Sequence, residues 1–410
     1  MKLRLCRGCF APLVETFIDL GMSPLSNAYL RPDELDSPET FYPLHARVCS
    51  QCFLVQLDAF ESPERIFADY AYFSSYSSSW LAHAQEYVDD AVSRWNLGSS
   101  SFVVEVASND GYLLQYVGHR GVPYCGIEPA RNVADIANGL GIRTESFFLG
   151  VGSGRAFAAR RGQADLVIAN NVLAHVPDLH DFVGGIAALL KPTGVASFEF
   201  PHLLELITRI EFDTIYHEHF SYFSLLALEP VFESHGLHVF DAEQIETHGG
   251  SLRLWLAPIS AGRETSKGVQ ALRGLERNCA LDRIETYQRF APAVLACRRD
   301  LVGFLIEASR AGKRVVGYGA AAKGNTFLNY CGIKADMLPF VADLNPAKIG
   351  HYLPGTHIPV VHARDVEESA ADYVLILPWN IRDEIMEQLS SMRRWGTQFV
   401  TAIPRLEILP

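Results

Sequence analysis

The chain has 410 residues, 49% of them hydrophobic, enough to build two or three cores instead of one. A formal net charge of −12 argues against a nucleic-acid partner, because a polyphosphate backbone demands clustered Lys and Arg. No apolar run approaches the ~20 residues that span a bilayer, and Met1 to Cys6 lacks the apolar core of a signal peptide, so no membrane partner and a cytoplasmic location are expected.

The first elements are two matched knuckles, Cys6-Arg-Gly-Cys9 and Cys49-Ser-Gln-Cys52, separated by 39 residues, with a short β-like run at Phe53–Leu57 after the second. Four thiolates from two such turns surround one zinc ion tetrahedrally, and a site closed by four sulfurs has no open position for substrate, so the metal is expected to be structural. The pairing suits metal in a reducing compartment better than a disulfide framework. A redox dithiol would need one pair only. Cys125, Cys279, Cys297 and Cys331 are scattered and read as small buried apolar residues.

From about Trp80 strands and helices alternate. Strands are expected at Ser101–Val106, Pro123–Glu128, Asp165–Ala169 and Gly194–Phe200, and helices at Gly111–Val117, Asn132–Leu140 and Phe182–Leu190. This alternation predicts a doubly wound parallel sheet, whose ligand lies across the carboxyl ends of the strands. The region from Ala280 to Ala311 reads as largely helical. A second Rossmann-like sheet is then expected from Arg314-Val-Val-Gly-Tyr-Gly319, Pro339–Asp343 and Tyr373–Leu377. The fold class is therefore α/β with three segments: a zinc-knuckle domain over 1–68, a Rossmann-like domain over 69–247 and a second Rossmann-like domain over 248–410.

Three stretches carry chemistry. Glu105-Val-Ala-Ser-Asn-Asp-Gly111 ends the first strand and Glu128 the second, where an acid can accept hydrogen bonds from ribose hydroxyls. Their spacing resembles the first motif of class I S-adenosylmethionine-dependent methyltransferases, although Ala107 and Asn109 stand where glycines are common. A dinucleotide would need the full Gly-x-Gly-x-x-Gly turn, and Asp110 would repel its phosphates, whereas a cationic sulfonium tolerates these acids. Ser108, Asn109, Asp110 and Gly111 are thereby assigned to the cofactor with Glu105 and Glu128. Asn170 or Asn171, after the third strand, can hydrogen-bond the amino-acid end of the cofactor, and His175 follows them toward the crevice or packs a helix. The second stretch is Tyr216-His-Glu-His219. Extended, it puts Tyr216 and Glu218 on one face and the two imidazoles on the other; as a helical turn it brings Tyr216 and His219 together. The third is Gly317-Tyr-Gly-Ala-Ala-Ala-Lys-Gly-Asn325, where Lys323 could meet a phosphate and Gly324 would permit close approach, or the glycines merely turn the chain.

Taken with Thr247-His-Gly-Gly-Ser-Leu-Arg253, in which His248 to Arg253 reads as a linker turn near the pocket, this ordered set resembles the sugar C-methyltransferases of antibiotic deoxysugar biosynthesis over nearly the whole chain. The resemblance implies methylation at C3 of a nucleotide-linked 4-keto-deoxysugar, with S-adenosylmethionine as methyl donor. It implies His219 as the base that removes the C3 proton, Tyr216 and Glu218 beside it, and His175 and Tyr70 lining the sugar pocket. It also implies that the last domain grips the nucleotide-sugar, with Lys323, Gly324 and Asn325 as substrate-binding residues. Two other readings differ in kind: methyl transfer to oxygen or nitrogen, and a non-catalytic zinc-knuckle binding protein. A self-contained three-segment chain could act as a monomer.

Overall fold

The computed structural model describes residues 4–62, 74–76 and 78–410, and Tyr70 lies outside them. The chain forms two compact units, one from 1–14, 49–202 and 220–282, the other from 15–48, 203–219 and 283–410.

The first unit is built on a seven-stranded sheet. Its strands are β1 (Val103–Val106), β2 (Tyr124–Ile127), β3 (Thr144–Glu145), β4 (Ala164–Asn170), β5 (Leu190–Pro201), β6 (Leu237–Ile245) and β7 (Ser251–Pro258). Their spatial order is 3-2-1-4-5-7-6. The first five pair in parallel, and β7 enters antiparallel between β5 and β6. Alternation along the strands feeds two cores. Val104, Val106, Val167 and Ala169 meet Phe182, Val183 and Ile186 of the helix Leu179–Leu189. Val103, Leu166 and Ile168 share the other core with Tyr87, Val88 and Ala91 of the helix Ser78–Arg94. Buried on both faces, these strands show the near-continuous apolar runs of a covered parallel sheet.

The expected strands and helices of this unit all form, with ends shifted by up to a few residues. Gly111 does not open the next helix, which is Leu114–His119. Its φ of +83° makes the turn before that helix, and a Cβ there would meet Ile142 Cδ1 at 2.5 Å. The stretch read as a linker turn is corrected from Ser251 onward: Ser251–Arg253 begins β7.

The knuckles belong to this unit and repeat one design. Cys6 N–H donates to Ala11 O and Phe10 N–H to Cys6 O (2.8 and 2.9 Å), while Cys49 N–H donates to Leu54 O and Phe53 N–H to Cys49 O (both 3.0 Å). Phe10 and Phe53 take the same left-handed backbone, φ +60° and +61°. After the second knuckle Val55–Leu57 pairs antiparallel with Ser221–Tyr222.

The second unit holds a six-stranded sheet of β8 (Val315–Tyr318), β9 (Val341–Asp343), β10 (Val360–His362), β11 (Tyr373–Ile376), β12 (Gln398–Thr401) and β13 (Glu407–Leu409), in the order 10-9-8-11-12-13. All neighbours are parallel except β12 and β13. The expected helical region gives Ile284–Gln288 and Phe290–Arg310. An antiparallel pair, Glu15–Ser23 with Tyr42–Val48, also belongs here, and Phe17 stacks on Phe290 with centroids 4.5 Å apart. Of the scattered thiols, Cys125, Cys297 and Cys331 are buried as expected, but Cys279, just past a helix end, is only half-buried.

Candidate active site

The four knuckle sulfurs lie within 4.8 Å of one another, with Cys6 to Cys52 and Cys9 to Cys49 both at 3.5 Å. Gly8 N–H points at Cys6 Sγ and Gln51 N–H at Cys49 Sγ (both 3.4 Å), the backbone support a negatively charged thiolate needs. Four soft donors so disposed fit one zinc ion in a closed site.

At the carboxyl ends of β1, β2 and β4 the expected cofactor residues come together. Ala107 and Asn109, which depart from the usual glycines, both adopt the left-handed backbone that glycine serves (φ +56° and +50°), so the loop keeps its shape without glycine. Asn109 N–H donates to Glu128 Oε2 and Ala130 N–H to Glu128 Oε1, both 2.9 Å. Asn109 Oδ1 accepts Ser74 N–H, and Asp110 Oδ2 accepts the Ser75 hydroxyl at 2.5 Å. Gly126 belongs to the cradle too, since a Cβ there would collide with Ser108 Oγ. Five atoms of this loop cluster are buried with no hydrogen-bond partner among the described residues: Glu105 Oε2, Ser108 Oγ, Asp110 Oδ1, Asn170 Oδ1 and Asn171 Nδ2. Unpaired buried polar atoms are costly, and a cluster of them marks where a polar ligand completes the hydrogen bonding.

The charges agree. Burial, helped by Glu128 and Asp110, holds the Glu105 carboxyl well above its ordinary range. Burial also pushes Glu128 up to about 7, against the two backbone N–H groups that stabilise its charge. Three crowded acids, with no cation paired to them among the described residues, suit a ligand bearing positive charge, as the sulfonium and ammonium of S-adenosylmethionine do. The cradle therefore fits this cofactor.

Asn171 (φ +54°) donates its N–H to Glu199 O at 2.6 Å, which ties this crevice to a group that sequence reasoning missed. The Glu199 carboxylate, fully buried at the end of β5, takes His83 Nε2 at 2.9 Å and Arg253 Nη2 at 3.0 Å. Arg253 lies directly opposite on β7. The signal was the Thr247–Arg253 motif; its reading as a turn hid the cross-strand partner. His175 is half-buried at the end of the turn Leu173–His175, with its N–H on Val172 O.

Tyr216, Glu218 and His219 belong to the second unit. Of the two conformations open to this stretch, the turn forms: His219 N–H donates to Tyr216 O at 2.9 Å, and the two rings lie tilted by 33° with centroids 4.1 Å apart. His219 Nδ1 lies 2.9 Å from Thr214 O. A carbonyl only accepts, so Nδ1 carries the proton and Nε2 presents its lone pair, 2.9 Å from the Tyr216 hydroxyl. The buried Glu218 carboxyl accepts Asn27 Nδ2 at 2.7 Å and is pushed up to about 7 by burial. His217 Nε2 faces Pro43 O at 3.3 Å, and burial lowers its pKa. The residue after His219, Phe220, donates its N–H to Ala174 O at 2.7 Å, the residue before His175.

Lys323, Gly324 and Asn325 do not form a loop: they lie in the first turn of the helix Ala322–Cys331. Gly324 is small because a Cβ would meet Leu377 Cβ at 2.9 Å, and Asn325 is fully buried. Lys323 Nζ donates to Asn380 Oδ1 at 2.7 Å.

A doubly wound sheet with an antiparallel strand inserted beside its edge, carrying an acid-lined cradle at the carboxyl ends of β1, β2 and β4, defines an S-adenosylmethionine-dependent methyltransferase. Residues 6–67 match a zinc binding domain family, 80–242 a methyltransferase domain family and 246–404 the C-methyltransferase C-terminal domain family. The chain is 35% identical to C-methyltransferase NovU of Streptomyces niveus over 404 residues, 98% of this chain and 96% of that one. It belongs to the C-methyltransferase family. Among solved structures, PH0226 protein from Pyrococcus horikoshii OT3 is 14% identical with a TM-score of 0.38, over 48% of this chain and 99% of that one. Magnesium protoporphyrin IX methyltransferase from Synechocystis is 15% identical with a TM-score of 0.34, over 48% of this chain and 88% of that one. Among the described residues no helix is long and apolar enough to cross a membrane.

Proposed function

We propose that the chain methylates C3 of a nucleotide-linked 4-keto-deoxysugar, with His219 as the base. The observation that carries this reading is the fixed tautomer: Nδ1–H on Thr214 O leaves Nε2 as the proton acceptor, with the Tyr216 hydroxyl 2.9 Å from it. Nε2 takes the C3 proton, and the protonated ring stays held by the same carbonyl. An imidazole with a reference pKa of about 6.5 is a weak base for a carbon acid, each unit of mismatch costing about 1.4 kcal/mol. The enolate oxygen therefore needs a donor, a role open to Tyr216 or His175. When bound, S-adenosylmethionine supplies the electrophilic methyl group that the C3 carbanion takes. Glu105, Ser108, Asn109, Asp110, Gly111, Glu128, Asn170 and Asn171 shape its cradle, and Glu218 accepts a hydrogen bond from Asn27. Along the chain the work divides as 1–68 for zinc, 69–247 for the cofactor and 248–410 for the nucleotide-sugar; the zinc binding and methyltransferase family matches over 6–67 and 80–242 support the first two.

His219→Gln is expected to lower methyl transfer by about 10²- to 10⁴-fold, the usual contribution of a general base, while cofactor affinity stays near that of the parent enzyme. Without methyl donor, the parent enzyme should wash solvent deuterium into C3 of a thymidine-diphospho-keto-sugar and the variant should not. Full turnover by His219→Gln, or a methylated oxygen or nitrogen in the product, refutes the proposal.

A further inference from the structure

In a doubly wound sheet the crevice where strand order reverses, with a glycine turn and a helix N-terminus beside it, receives an anionic ligand. In the second unit that place lies between β8, which ends at Tyr318 before Gly319, and β11. The helix Ala322–Cys331 begins there with Lys323 in its first turn. The chain's own groups gather there. Gly319 (φ +89°) is packed so tightly that a Cβ would collide with Pro378. The Lys323 ammonium sits over the Trp379 ring, 4.7 Å from its centroid, and donates to Asn380 Oδ1. Trp379 Nε1–H donates to Asp213 Oδ2 at 2.9 Å. Asp213 is fully buried, Glu211 is 2% exposed, and both favour the charged form of Lys323. Phe212, between the two acids, packs on the Phe327 and Tyr330 rings of the same helix at 5.5 and 5.4 Å.

These residues are the turn that leads to the imidazole. Thr214 N–H and Oγ1 both donate to Glu211 O (3.1 and 2.7 Å), closing the turn, and the Thr214 carbonyl takes the Nδ1 proton of His219. We propose that Lys323, Asp213 and Trp379 form an internal anion site in which the chain's own carboxylate stands where a ligand phosphate would, and that they are positioning residues for His219. They hold the 211–214 turn, and with it the tautomer and direction of the ring. The proposal rests on the reading of His219 as the base. It replaces the phosphate contact expected of Lys323.

The test uses the full-length enzyme with Trp379→Phe and Lys323→Met, and reads the His219 ring by ¹⁵N long-range NMR correlation. It also reads deuterium incorporation at C3 of a thymidine-diphospho-keto-sugar, and thymidine diphosphate affinity. In Trp379→Phe the ring is expected to lose its single Nδ1–H tautomer and deuterium incorporation to fall by about 10²-fold, as for a misplaced catalytic group, with thymidine diphosphate affinity unchanged. If Lys323→Met leaves Asp213 uncompensated and does not fold, Asp213→Asn with Lys323→Met removes both charges and carries the same expectation. An unaltered tautomer and exchange rate in Trp379→Phe overturns the proposal. So does a Lys323→Met enzyme that binds thymidine diphosphate ten times more weakly yet keeps its exchange rate. The tautomer is read without turnover, so an enzyme that never exchanges C3 hydrogen refutes the assigned reaction and leaves this measurement standing.

Discussion

Glu105 and Glu128 show how one side chain's surroundings set its work. Both are glutamates at strand ends, but Glu128 is held by two backbone N–H groups whereas Glu105 Oε2 has no partner among the described residues. Both are shifted upward by burial, Glu128 to about 7, so near neutral pH the free cradle keeps protons that a cationic ligand must drive off. Binding of S-adenosylmethionine should therefore release protons near pH 7, and its affinity should rise as pH increases from 6 to 8. Calorimetry in buffers of different ionisation enthalpy measures this directly; Glu128→Gln should flatten the lower part of the rise. An affinity that falls with rising pH would contradict the assignment.

At the scale of elements, the insertion of β7 beside β5 creates an ion pair that no local pattern reveals. Glu199 and Arg253 are opposite in register, and the carboxylate is enclosed by Arg253 and His83 on the helix Ser78–Arg94. These contacts keep the Glu199 pKa below its ordinary value despite burial, which by itself would raise it. Arg253→Met leaves a buried carboxylate without its guanidinium partner, and such a loss costs about 3–5 kcal/mol. Denaturant titration of the single variant should show it, with part recovered in Arg253→Met combined with Glu199→Gln. Because Glu199 O also takes the Asn171 N–H, the single variant should bind the cofactor more weakly as well. A variant as stable as the parent would mean that the sheet tolerates the bare carboxylate.

Across the whole molecule, buried acids accumulate in both units: Glu105 and Glu128 in one, Glu211, Asp213 and Glu218 in the other. Burial is the leading cause of each upward shift, to about 8 for Glu211, about 7 for Glu128 and Glu218, and about 6 for Asp213. A folded pKa above the unfolded one means that the native state binds more protons, so this stability is fully present below about 4.5 and disappears as pH climbs through 6 to 8. Glu199, shifted downward, has the opposite sign and loses its contribution on acidification. The thermal midpoint of the ligand-free protein should thus peak near pH 5 and decline toward pH 8, and saturating S-adenosylmethionine should reduce the decline. A midpoint that climbs from pH 5 to 8 without ligand would show that these acids are not proton-holding in the fold.

Sequence alone determined what local pattern controls. The matched knuckles name four sulfurs because their spacing is a property of two short turns. Alternating strands and helices name the parallel sheet because burial on both faces leaves continuous apolar runs. The acids at Glu105, Asp110 and Glu128 mark the cradle because the ends of the first strands must line it. Tertiary structure decided what depends on partners far away in the chain. Ala107 and Asn109 show no glycine, yet their left-handed backbone is imposed by the loop around them. Lys323 stood open between a phosphate contact and a mere turn in the sequence, and the acids that favour its charge, Asp213 and Glu211, lie far from it in the chain. Arg253 needed β7 beside β5 to become an ion-pair partner. The chain also passes between its two units five times, so residues 15–48 leave the knuckles that flank them. Spacing along the chain reports the few neighbours within a turn or strand, whereas charge neutralisation and packing are settled by whichever groups the completed fold brings into reach.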